Sequence, residues 1–207
     1  MAVLQHTIMV PKIETLCGHY LKDKEGKKYF LSIERDPGPE SPRTSMDNLS
    51  HMVCWHRRYS LGDKHDFADM NELTDWLKEQ EDQGDKVFCR PLFLLDHRGI
   101  SISTHDFNDR WDSGCVGAVY VLKFELEKAG FTFKDNWENV AKGIIEDEVE
   151  MYDQYLRGDV WGFRLFEIDG DDWEEVDSCW GFYGNDPRLN GMLDNLGDLE
   201  VIPDEEV

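Results

Sequence analysis

The sequence has no CxxC pair, no calcium loop of D-x-[DN]-x-[DN]-G order, no GxGxxG, no phosphate loop and no HExxH. The usual carriers of structural zinc, EF-hand calcium, dinucleotide binding, P-loop hydrolysis and zinc-protease chemistry are therefore missing, and no metal or cofactor is expected. Five cysteines, Cys17, Cys54, Cys89, Cys115 and Cys179, are odd in number and widely spaced. That argues for reduced thiols over a disulfide framework. The longest clean apolar run, Val116 to Leu122, is far short of the roughly 20 residues that a bilayer-spanning helix needs. The opening MAVLQHTIMVPKIE is broken by Gln5, His6 and Thr7 before a signal-peptide core can form. A cytosolic protein with no membrane partner is expected.

Positive charge is the other shortage: 22 Lys and Arg stand against 44 Asp and Glu. The imbalance is segregated. Residues 1–65 carry ten cations and eight anions, whereas residues 66–207 carry twelve and thirty-six. Such a surface repels nucleic acid and acidic membranes and attracts basic proteins, an effect that salt weakens. With 40% apolar and 12% aromatic residues in 207, the chain has the means to build a core. It is not a disordered acidic polymer.

The periodicities predict an α+β fold, mainly an antiparallel sheet packed against one long amphipathic helix at about 136–157 and a second helix at about 68–82. In the long helix, Trp137, Val140, Ala141, Ile144, Ile145, Val149, Tyr152, Tyr155 and Leu156 form one apolar stripe, and Gly158 ends it. Strands are expected at Ile8–Val10, Leu16–Leu21, Lys28–Ile33, His51–Trp55, Val87–Leu95, Ile100–Ser103 and Val116–Phe124. A hairpin of Val160–Ile168 and Trp173–Tyr183, turning at Asp169-Gly170, is expected to lay its aromatics on the long helix. A single domain over 1–207 is anticipated, with a strand-rich sub-region over 1–50 that ends in the mobile Pro-rich loop 35–50, and a frayed acidic tail over 197–207.

Chemistry-bearing residues are sparse outside the acids. The one basic cluster beside aromatics, His56-Arg57-Arg58-Tyr59, is expected to serve as an internal partner of the acidic surface, with no direct nucleic-acid contact. His105, Asp106, Asp109, Asp112 and Cys115 in HDFNDRWDSGC lack metal-ligand spacing. Cys115 and Cys179 each follow an Asp-Ser pair, and a cysteine nucleophile needs a base, for which His97 or His105 are candidates. The outward face of the long helix carries Glu146, Asp147, Glu150 and Asp153 with no cation expected close by, an arrangement that like-charge repulsion makes mildly costly.

WDSG (Trp111 to Gly114), the strand after it, YDQYLRGDVWGF (Tyr152 to Phe163) and DSCWGFYG (Asp177 to Gly184), with RRYSLGD (Arg57 to Asp63) upstream, resemble a family of small acidic proteins carried by bacteriophages and mobile elements. The resemblance covers about residues 50–184 and implies a phage accessory protein made in the host bacterial cytoplasm. Phage origin and a segregated acidic surface together predict an inhibitor of a basic host protein that binds nucleic acid, in defence, replication or transcription, acting by DNA mimicry. Its expected contact residues are Glu146, Asp147, Glu150, Asp153, Asp171, Asp172, Glu174 and Glu175. One alternative is an enzyme acting on a small molecule or nucleotide, with a pocket of Trp111, Asp112, Cys115, Asp177 and Cys179. A further alternative is a non-catalytic phage regulatory or assembly module.

Overall fold

The computed structural model describes residues 17–202, so the strand expected at Ile8–Val10 lies outside the described residues. It is an α+β fold with two antiparallel sheets, and the chain divides into two compact units. One is continuous, Ser41–Arg157; the other joins the residues up to Glu40 with those from Gly158 onward. No helix among the described residues is long and apolar enough to cross a membrane.

The continuous unit contains α1 (Pro42–Ser45), β3 (His51–Cys54), α2 (Met70–Asp82), β4 (Val87–Asp96), β5 (Ile100–Ser103), β6 (Ser113–Leu122), α3 (Lys123–Lys128) and α4 (Trp137–Leu156). Its sheet has the order β3-β6-β4-β5. Central β6 is buried without a break from Val116 to Leu122 because helices cover both faces of the sheet. On one face Val116, Val119 and Val121 meet Ala141, Ile145, Val149 and Tyr152 of α4. On the other, Ala118, Tyr120 and Leu122 meet Leu73 of α2, with Trp76 and Leu77 beside it. A strand buried on two sides loses the apolar/polar alternation of a half-exposed one, which is why this segment reads as a continuous apolar run. Each such side chain contributes about 1.5–3 kcal/mol when taken from water.

Local signals set the ends of these elements. Asp69 caps α2, its carboxylate accepting from the N–H groups of Asn71 (2.8 Å) and Glu72 (3.1 Å). Glu72 reaches back to Ala68 N–H (2.6 Å), so orphan donors on both sides of the cap are met. Pro91 sits where β4 has β6 on one side and has not yet met β5, whose pairing runs from Phe93 to Asp96. An unpaired strand side tolerates a residue without an N–H. The strand expected to run through Phe124 stops at Leu122, and Lys123 opens α3 directly.

The second unit carries β1 (Cys17–Lys22), β2 (Lys28–Arg35), β7 (Val160–Asp169), β8 (Asp172–Tyr183) and β9 (Glu200–Val201), with a 3-10 helix at Met192–Leu196. Its sheet has the order β8-β7-β2-β1-β9. Leu21, Leu31, Ile33, Trp161, Phe163 and Leu165 project to one face and are closed over by Met192 and Leu196. This corrects the hairpin expectation. The turn at Asp169–Asp172 is as anticipated, with Gly170 at φ 62°, but Trp161, Phe163 and Phe182 of the hairpin build this separate core, Phe166 and Trp173 group with Tyr20 and Phe30, and α4 packs its stripe on the other sheet. Periodicity reveals that a face is buried, not which surface buries it. The described part of the expected tail, up to Ile202, is held in place: Leu21 pairs with Val201, and Ile202 is buried with its N–H on Tyr20 O (2.8 Å), while residues 203–207 lie outside the described residues.

Candidate functional site

The most elaborate polar arrangement among the described residues centres on Arg43, in the stretch expected to be a mobile loop. Its side chain is 2% exposed. Nε and Nη2 donate to the two oxygens of Asp63 (2.9 and 2.6 Å), Nη1 to Asn48 (3.0 Å) and Glu148 (2.7 Å), and Nη2 also to Ser50 O (2.7 Å). Glu148 in turn accepts from Leu49 N–H (2.7 Å), Ser50 N–H (3.2 Å) and Ser50 Oγ (2.5 Å). Burial pulls the guanidinium's pKa down, but the bonds and charges of Asp63 and Glu148 outweigh it and hold it above the ordinary value. A guanidinium with every edge engaged has no donor left for a ligand. Its role is to position the chain on either side of it.

What it positions is the loop after β3. Asp63 accepts from Met52 N–H (2.7 Å) and returns its own N–H to Met52 O (2.7 Å), while Gly62 N–H meets the Tyr152 hydroxyl of α4 (3.0 Å). Gly62 is obligatory here: its φ is +68°, and a Cβ would fall 2.4 Å from Met52 O. The loop so held encloses an open cleft of about 820 Å³, with Trp55, His56, Arg57, Tyr59, Lys64 and His65 among its lining residues. Cys54 also lines it, but burial pushes that thiol up to about 12, so it is not a thiolate nucleophile at neutral pH. The expectation that the HRRY cluster pairs internally holds for Arg58, which bridges to Asp96. It does not extend to Arg57, which makes no ion pair or hydrogen bond with a described residue.

The helix acids are not the free row that was expected. Asp153 points inward, accepting from Ser101 Oγ (2.5 Å), Ile102 N–H (2.8 Å) and Arg157 Nε (2.9 Å). Glu146 has Lys142 one turn away at 3.4 Å. Cations therefore stand beside this face, one turn before and after the acids, and of the four acids expected to make contact Asp147 and Glu150 are exposed without an ion pair. Glu148, which was not singled out, is the helix acid with the largest structural task. Its signal was positional: it lies three residues after Ile145 and four before Tyr152, on the apolar stripe.

The hairpin acids behave differently. β8 is a sheet edge, exposed from Asp172 to Ser178. Glu175 is held by Arg164 of β7 (2.6 Å), but the side chains of Asp171, Asp172, Glu174 and Asp177 make no ion pair or hydrogen bond with a described residue. The register puts Asp172, Glu174 and Asp177 opposite Asp169, Glu167 and Leu165, on one face of the ladder, with Trp173 and Glu175 on the other. Residues 158–202 hold twelve carboxylates and two cations, Arg164 and Arg188, and both cations are already paired, with Glu175 and Asp186.

The pocket expected from WDSG and DSCW has its members in different units, Trp111, Asp112 and Cys115 in one and Asp177 and Cys179 in the other. WDSG is a self-bonded turn: Asp109 accepts from Trp111 and Asp112 N–H (both 2.8 Å), and Ser113 Oγ donates to Asp109 O (2.5 Å). Trp111 is 88% exposed. Asp112 is bound to His97 Nδ1 (2.7 Å), giving an oriented base, but the Cys115 thiol is directed to Gly117 O (3.6 Å) and not to that imidazole. The nucleophile-to-base contact that cysteine catalysis requires is not made. Among the described residues no group of three or more His, Cys, Asp or Glu is arranged to hold a metal ion. No protein-family model, curated protein or solved structure matches the chain.

Proposed function

We propose that this protein is a non-catalytic acidic accessory protein, of the phage type its motifs resemble, that binds and inhibits a basic, nucleic-acid-binding protein of the bacterial host. The contact surface is the β7–β8 hairpin, not α4. The observation that carries this reading is the exposed β8 edge, on which Asp172, Glu174 and Asp177 share one face and make no ion pair, Lys27 across the ladder being held by Glu167. Uncompensated charge of one sign destabilises a free protein slightly and is relieved when a surface of opposite sign docks. Val176 (45% exposed) lies at the irregularity between Glu175 and Asp177 and supplies apolar area beside the acids.

Recognition on this reading rests on charge complementarity between the carboxylates on one face of the strand, about 6.8 Å apart where they are two residues apart, and a basic groove of the partner. The test is a pull-down from bacterial lysate at about 50 mM and about 500 mM salt, using the full chain and two charge-reversed variants. A nucleic-acid-binding partner that is captured at low salt, released at high salt, and lost on Asp172→Lys/Glu174→Lys/Asp177→Lys but kept on Asp147→Lys/Glu150→Lys supports the proposal. Equal capture by the hairpin variant sinks it.

A further inference from the structure

The basic cleft of residues 54–65 has no part in that reading, and its chemistry is the opposite of the surrounding protein. We infer that it is a binding site for a small phosphorylated ligand carrying a planar ring, of the nucleoside monophosphate class. Its volume, about 820 Å³, lies within the range of small-ligand sites. Two features of the lining match two parts of such a ligand.

The first is unused positive charge. In a chain with twice as many anions as cations, Arg57 and Lys64 both line the cleft and neither meets a carboxylate or any other described partner. Arg57 offers the planar fork that suits phosphate oxygens, and Lys64 a mobile point charge. The second is a set of ring surfaces already in place. The His56 imidazole stacks on Tyr59 at 4.9 Å with 7° between planes, and Arg58 lies over the same tyrosine ring at 5.3 Å, so that the ligand's ring meets His56 or Trp55 instead. Tyr59 is tied through its hydroxyl to Asp96 (3.2 Å), and Trp55 is fixed by Nε1–H to Phe67 O (2.9 Å). Rings held beforehand cost a ligand little ordering entropy.

Size follows from the field of the whole molecule. A net charge of −22 repels a polyanion at every phosphate, whereas a mononucleotide brings only one or two charges into a local patch of opposite sign. The site is thus built for a small ligand and not for a nucleic-acid strand. The loop is a rigid support for it, anchored at Asp63 by Arg43 and at Gly62 by Tyr152.

The experiment is calorimetric titration of the full chain with each of the four common nucleoside 5′-monophosphates, the matching nucleosides, inorganic phosphate and ribose 5-phosphate, with amide chemical-shift mapping by NMR. The expected result is saturable binding of at least one monophosphate, with shifts centred on residues 54–65. Phosphate, ribose 5-phosphate and the parent nucleoside should each bind at least about tenfold more weakly. Arg57→Ala/Lys64→Ala, at two partnerless side chains whose loss leaves the fold intact, should weaken the monophosphate about tenfold or more, and Arg57→Lys/Lys64→Arg should restore much of it. The inference is overturned if no monophosphate saturates below about 10 mM, if the alanine variant binds as the parent does, or if phosphate binds as well as the nucleotide. It is equally overturned if a decanucleotide displaces the monophosphate at equal phosphate concentration, since that would make the cleft a strand-binding surface.

Discussion

Arg43 and Glu148, 105 residues apart in sequence, meet at 2.7 Å, and the guanidinium is almost entirely shielded from water. Removing one partner of such a pair leaves the other buried and uncompensated, which costs about 3–5 kcal/mol. Glu148→Ala also strands the N–H groups of Leu49 and Ser50. Urea denaturation of the full chain should show a loss of that size for Glu148→Ala and a smaller one for Glu148→Gln, which keeps an acceptor. A loss under about 1 kcal/mol for the alanine variant would mean that the network contributes no more than an exposed pair.

Two acids six residues apart on α4 should respond in opposite ways. Asp153 accepts three hydrogen bonds at a side chain 15% exposed, so Asp153→Ala leaves Ser101 Oγ and Ile102 N–H without their acceptor and should cost about 1–3 kcal/mol. Asp147 is exposed and unpaired, and Asp147→Ala should stay within about 0.5 kcal/mol of the parent. Thermal or urea melts of the two variants side by side settle the matter. Equal midpoints would contradict the inward placement of Asp153.

Those same acids mark the limit of what the sequence conveys. The stripe from Trp137 to Leu156 predicted α4, because a 3.6-residue period has few other causes, and the β7–β8 turn followed from Asp169-Gly170. Partner choice was hidden. Nothing local says that α4 packs on β6 or that Met192 and Leu196 close over the hairpin, since both sheets offer apolar faces of similar composition. Arg43 was hidden for a related reason: a cation in a stretch rich in Pro and Ser reads as solvated, and its two carboxylates lie 20 and 105 residues away. RRYSLGD was visible as a motif, but the cleft depends on Gly62 and Asp63 folding back onto Met52, which is a tertiary event.

Gly162 in GDVWGF and Trp180 in DSCWGFYG explain each other. A Cβ built on Gly162 would lie 2.1 Å from the Trp180 ring and 2.7 Å from Cys179 O, so the indole occupies the space over the glycine. Gly162→Ala should expel the ring or shift β8, at a cost of about 1–3 kcal/mol. Trp180 is 38% exposed in the parent, and its displacement should appear as a red shift of tryptophan emission and a changed near-ultraviolet circular dichroism. Gly162→Ala with Trp180→Ala should recover part of the loss. If the double variant is as unstable as the sum of the singles, the two residues are not coupled.

The His97–Asp112 pair gives the WDSG turn a pH dependence. The hydrogen bond and charge of Asp112 raise the His97 pKa above 6.5, its ordinary value. Since the folded state binds this proton more tightly than the unfolded one, the contribution to stability is fully present below the unfolded value and is lost as pH rises through the higher folded one. NMR titration of the imidazole should therefore give a midpoint above 6.5, and Asp112→Asn should bring it down. Both groups are substantially exposed, so moderate salt should draw the parent's midpoint toward that of the variant. A parent midpoint at or below 6.5 would mean that the 2.7 Å contact does not persist in solution.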